Sequence, residues 1–166
     1  VSSASSAEIV DGKLKCKQGK SFSIRPGFTI GDDFGLEPGY FTFDLVMTGG
    51  QISIGIRLFS NVTIKGSQGL WFTLTKDNLV VEDPSTNLKE TIKHGLDLSS
   101  EQKIRIQDNL SRIEFRAGDK VVCTVIFENE KLILNDANGN EIAAKKNETV
   151  PLAGYARMDV DKLQGS

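Results

Sequence analysis

Apolar residues recur at every second position in one short segment after another: "KSFSIRPGFTI", "GYFTFDLVM", "QISIGIRLF", "GLWFTLT", "NLVVED", "KIRIQD", "RIEFRA", "KVVCTVIF", "KLILND" and "GYARMDV". A period of two puts successive side chains on opposite faces of a strand. Turn-forming clusters stand between them: "GDDFGLEPG", "TGGQ", "TKDN", "AGDK", "ENEK" and "DANGN". Helical periodicity is nearly absent, and "LDLSSEQK" offers one turn at most. The pattern predicts an all-β fold, an antiparallel two-sheet β-sandwich of the jelly-roll kind.

The turns set registers. With Gly49-Gly50 as a two-residue hairpin loop, Met47 faces Ile52, Leu45 faces Ile54, Phe43 faces Ile56 and Phe41 faces Leu58. Every apolar side chain then lies on one face. The other face carries Tyr40, Thr42, Asp44, Gln51, Ser53, Gly55 and Arg57, with Gly55 leaving a notch opposite Asp44. A loop at Lys76-Asp77 sets Leu74 against Leu79 and Phe72 against Val81, leaving Trp71 on the outer face across from Glu82. A three-residue loop at "AGD" sets Phe115 against Val121 and Ile113 against Cys123. Asn129-Glu130 sets Phe127 against Leu132 and Val125 against Leu134. Trp71 is therefore expected to be substantially accessible or to lie in a shallow groove, with Leu70, Phe72 and Leu74 buried.

At 166 residues the chain fits one domain, over 8–166, preceded by a linker or processed segment at 1–7 rich in serine and alanine. Twenty basic and 22 acidic residues, interspersed, give a net charge of -2 and argue against electrostatic nucleic-acid binding. No apolar run approaches the roughly 18 residues of a membrane-spanning helix. Cys16 and Cys123 have no metal-ligand spacing. They read either as one disulfide or as two buried thiols.

An outward tryptophan on a sheet can serve as a platform for the C–H face of a sugar ring. Asp44, Gln51, Arg57, Thr42 and Tyr40 are expected on the same face, with Glu82 beside Trp71. Asp44 and Arg57 lie diagonally, able to pair or to hold a ligand jointly. The competing reading has Trp71 covered by a loop. Asp44 and Glu82 form the one plausible carboxylate pair for glycoside hydrolysis, which needs a separation of about 5 to 9 Å. Arg105 is expected to neutralise Glu114 across its hairpin. The lone histidine, His94, reads as an exposed loop residue, and "DFG" at 33–35 as a turn. Neither GxGxxG nor GxxxxGK[ST] occurs, so no nucleotide cofactor is expected. Asp32 and Asp33 near the start, with Asp159 and Asp161 near the end, are weak candidates for a structural calcium. Sequons at Asn61, Asn109 and Asn147 fit an extracellular protein.

From "GYFTFDLVMTGGQISIGIRL" through "KIRIQDNLSRIEFRAGDKVVCTVIFENEKLILNDANGNEI", and on to "GYARMDV", the order of elements resembles the concanavalin A-like, laminin-G-type jelly roll. The resemblance covers most of the chain. It implies that fold and a bias toward sugars, since the superfamily includes carbohydrate-binding modules, glycosidases, lectins and adhesion domains. Where its enzymes carry catalytic carboxylates, this chain has Ser53, Gly55 and Arg57. The expected function is a non-catalytic carbohydrate-binding module of a larger secreted or cell-surface protein. Its partners would be an oligo- or polysaccharide and the other domains of that chain. The alternatives are an adhesion domain with a protein partner, marked by an apolar outer patch such as Val122, Ile126 and Ile133, and a glycosidase or lyase using Asp44 and Glu82.

Overall fold

The computed structural model describes residues 7–11, 13–16, 21–24, 41–58, 69–109, 111–146 and 155–161. All regular structure among them is β. Strands β1 (Ala7–Val10) and β2 (Lys13–Cys16) pair as a small sheet of their own, followed by β3 (Ser21–Ile24) and β4 (Phe41–Met47). A first meander runs through β5 (Gln51–Leu58), β6 (Leu70–Leu74), β7 (Asn78–Asp83) and β8 (Leu88–Lys93). A second runs through β9 (Gln102–Asp108), β10 (Arg112–Ala117), β11 (Lys120–Glu128), β12 (Lys131–Asn135) and β13 (Glu141–Lys146), and β14 (Tyr155–Asp161) comes last.

Two six-stranded antiparallel sheets result. The first has the order β13-β12-β11-β10-β9-β4 and the second β3-β14-β5-β6-β7-β8. Their inner faces share one apolar core, to which the first sheet gives Ile104, Ile106, Ile113, Phe115, Val125, Leu132 and Leu134. The second gives Ile52, Ile54, Ile56, Leu70, Phe72, Leu74, Leu79 and Val81. Phe72 and Phe115 meet across the layers with ring centroids 5.4 Å apart. The chain is the all-β two-sheet sandwich that alternation implies.

The Gly49-Gly50 hairpin is not formed. β4 pairs with β9 in the first sheet, while β5 pairs with β6 and β14 in the second. Both glycines have positive φ, 67° and 84°, but they turn the chain from one layer to the other. Met47, Ile52, Ile54 and Ile56 are nonetheless buried together, and Thr42 and Asp44 are exposed. Alternation decides which side chains point inward. It does not distinguish strands lying side by side from strands facing each other across the core, because both arrangements bury the same set. The side chains of Phe41, Phe43 and Leu58 lie outside the description.

Of the other turns, Lys76-Asp77 gives the expected Leu74–Leu79, Phe72–Val81 and Trp71–Glu82 pairs. Asn129-Glu130 gives Phe127–Leu132 and Val125–Leu134, with φ of 50° and 59° at the two turn residues. The β10–β11 register differs by two residues from the expected one. Phe115 meets Cys123 and Ile113 meets Val125, because the turn closes tightly at Gly118-Asp119 and a bulge follows Phe115. From Cys123 onward the slip of two leaves each side chain on its expected face, but at the bulge it is one residue, so Val121 stands opposite outward-facing Arg116. Val122, an expected surface residue, is buried in the core beside that bulge.

Candidate functional site

Each sheet has an outer face, and the sequence-derived candidates divide between them. In β6 all five residues are buried, so the strand is enclosed on both sides. Leu70, Phe72 and Leu74 belong to the core, whereas Trp71 points away from it and is still 0% exposed. The expectation of an accessible tryptophan is overturned: the indole is fully buried. Ser53, Gly55 and Thr73 on the same outer face are buried too, with Ser53 Oγ and Thr73 Oγ1 2.9 Å apart. Gly55 lies directly opposite Trp71, not Asp44. A Cβ built on Gly55 would stand 2.8 Å from indole atoms Cε2, Cζ2 and Cη2. The notch read at Gly55 is real, and the tryptophan ring fills it. Glu82 is half-buried beside it and pairs with Lys89 at 3.5 Å, and Gln51 is also half-buried. Arg57 lies on this sheet's β5, its side chain outside the description.

Thr42 and Asp44 lie on the opposite side of the molecule, the outer face of the first sheet, because Leu45 and Met47 alternate with them into the core. Asp44 therefore does not lie diagonally from Arg57 on an adjacent strand. It also cannot work with Glu82 as a carboxylate pair, since the two project outward from sheets about 10 Å apart. The partner of Asp44 is Arg105, directly opposite on β9. Arg105 Nε donates to Oδ1 at 2.6 Å and Nη2 to Oδ2 at 3.1 Å, a two-pronged clasp. The hydrogen bond and charge of Asp44 hold the guanidinium above its ordinary pKa. Glu114, expected to meet Arg105, sits instead between Arg112 at 3.1 Å and Arg116 at 3.2 Å.

These residues belong to a broad polar surface. Ladder partners run in a row across five strands, Thr42–Gln107–Glu114–Thr124–Asn135, with Thr124 buried within it. The adjacent row is Asp44–Arg105–Arg116. An open groove of about 640 Å³ runs along it, lined by Asp44, Val46, Lys103, Arg105, Arg116 and Asp119 among others. Val46 is 55% exposed there. The alternating charges in "KIRIQD" and "RIEFRA" were legible as an outward set. Their union with Asp44 was not, because it depends on the β4–β9 pairing between strands far apart in sequence.

His94 is buried, at 1% exposure, not a surface loop residue. Its Nε2 donates to the Thr75 carbonyl at 2.8 Å, and its Nδ1 accepts from the Leu96 amide at 2.9 Å. Lys120 Nζ donates to the His94 carbonyl at 2.8 Å. The ring therefore pins the β8–β9 connection to the β6–β7 turn, a structural duty. Cys123 is a free buried thiol whose pKa burial raises to about 12. Tyr40, Asp32 and Asp33 lie outside the described residues, as do the side chains of Cys16, Asp159 and Asp161. Among the described residues no group of three or more His, Cys, Asp or Glu side chains could hold a metal ion, and no helix is long and apolar enough to cross a membrane. Comparison of the chain with family models, with curated proteins and with solved structures finds no match.

Proposed function

We propose that the chain is a non-catalytic carbohydrate-binding module of a larger secreted or cell-surface protein, and that it holds its glycan on the outer face of the first sheet. The observation that carries this reading is the Asp44–Arg105 clasp lying open in a groove beside Thr42, Gln107 and Glu114, ladder partners on three neighbouring strands. Neighbouring strands stand about 4.8 Å apart, so these three span roughly 10 Å, room for a short oligosaccharide. Carboxylate, guanidinium, amide and hydroxyl groups recognise sugar hydroxyls, and exposed Val46 with the alkyl stems of Lys103 and Arg105 offers apolar surface to ring C–H groups. A concanavalin A-like jelly roll belongs to this proposal. It is supported by two meanders in facing sheets, with the last strand returning beside β5.

The test is a glycan microarray probed with the native protein, Arg105→Ala and Lys89→Ala, the last lying on the opposite sheet. Native and Lys89→Ala should bind one set of glycans, and Arg105→Ala should lose it. Absence of binding to any glycan, or equal binding by Arg105→Ala, would refute the reading.

An adhesion domain is the second reading. Ile126, Ile133 and Ala144 form an apolar row on the same outer face. Binding to a protein that Ile133→Lys abolishes and Arg105→Ala spares would favour it.

A further inference from the structure

Arg105 and Arg116 are direct ladder partners, so two guanidinium groups stand side by side on neighbouring strands. Like charges directly opposite in a sheet are destabilising. Each has one carboxylate, Asp44 for Arg105 and Glu114 for Arg116, but Glu114 is shared with Arg112. Among the described residues three guanidinium groups thus face two carboxylates, and Lys103 and Asp119, one charge of each sign, leave that surplus unchanged. The surplus lies where the groove is open. Arg105 and Arg116 keep 52% and 33% of their side-chain surface exposed.

We propose that the groove between Arg105 and Arg116 receives the carboxylate of a uronate residue, so that the glycan bound is an acidic polysaccharide. This inference rests on the sugar-binding reading above and names its ligand class. Each guanidinium carries five N–H donors in a planar fork; Arg105 gives Nε and Nη2 to Asp44 and Arg116 gives Nη1 to Glu114, so an incoming carboxylate would take the donors that these pairs leave, one oxygen to each arginine. The incoming anion also relieves the repulsion between the two arginines. Lys131, Lys145 and Lys146 line a separate hollow on the same sheet, but ammonium groups on flexible stems offer no such planar match.

The experiment is affinity electrophoresis and calorimetry on uronate polymers (polygalacturonate, alginate), on neutral polymers (galactan, β-glucan) and on a sulfated galactan without uronate. The variants are Arg116→Gln, Arg116→Lys and Lys131→Gln. Arg116 is removable without orphaning its carboxylate, because Glu114 retains Arg112. Native protein and Lys131→Gln should bind a uronate polymer, more weakly as salt rises. Arg116→Gln should raise Kd roughly tenfold or more, and Arg116→Lys should restore only part. Equal loss in Lys131→Gln would show unspecific charge attraction and overturn the inference. So would unchanged binding by Arg116→Gln, or retention on neutral or sulfated polymers alone, although the sugar-binding reading would survive those last two results. No retention on any polymer would overturn both.

Discussion

Trp71 shows how far a single residue can be read from alternation. Its face was legible: it pairs with Glu82 and points away from Leu70, Phe72 and Leu74. Its exposure was not legible, because whether an outer sheet face meets water depends on what lies over it. The fully buried indole packed on Gly55 makes it a structural residue. Trp71→Ala should cost about 3–5 kcal/mol. Gly55→Ala should cost about 1–3 kcal/mol, since the new methyl would collide with the ring. Urea melts of both variants check this, and losses within about 0.5 kcal/mol would contradict it. Cys123 supplies a pH dependence with a definite sign. Its pKa rises on folding from 9.0 to about 12, so its contribution is complete below pH 9 and is lost as pH rises toward 12. Native protein should resist alkylation at pH 8, and Cys123→Ala should flatten the alkaline limb of the stability profile.

At the level of elements, local turns were readable and long-range pairings were not. Lys76-Asp77 and Asn129-Glu130 set registers that the structure reproduces, since each turn fixes its own two strands. The β4–β9 ladder joins segments separated by the whole of the β5–β8 meander, and nothing local specifies it. That one ladder relocates Asp44 from the expected site with Arg57 to Arg105, and so moves the candidate site to the other side of the molecule. His94 eluded the reading for a related reason. Its role is to satisfy the Thr75 carbonyl and the Leu96 amide at a junction between elements. His94→Ala should leave both groups unpaired and cost about 1–3 kcal/mol for each. Hydrogen exchange at the Leu96 amide should accelerate in that variant, and an unaltered rate would show that the ring does not pin the connection.

Across the whole molecule the two outer faces divide the labour. The second sheet's outer face is buried at its centre around Ser53, Gly55, Trp71 and Thr73. The first sheet presents exposed Thr42, Asp44, Lys103 and Arg105 beside half-buried Gln107, Glu114 and Arg116. Near-neutral total charge conceals a local surplus of guanidinium groups on that face, which composition alone could not reveal. Arg105→Ala should therefore lose glycan binding while leaving stability almost unchanged, because its pair with Asp44 is exposed. A thermal melt beside a binding isotherm measures both.

Trp71 is sealed from solvent, and the proposed glycan surface lies on the other sheet. Because it is the chain's single tryptophan, its fluorescence reports on that position alone. The most direct measurement is acrylamide quenching of the native protein, with and without the glycan it retains, beside the urea-unfolded protein. The account predicts blue-shifted native emission, quenching far weaker than in urea, and no change in either on adding glycan. Native quenching as strong as in urea, or protection that appears only with glycan, would contradict it.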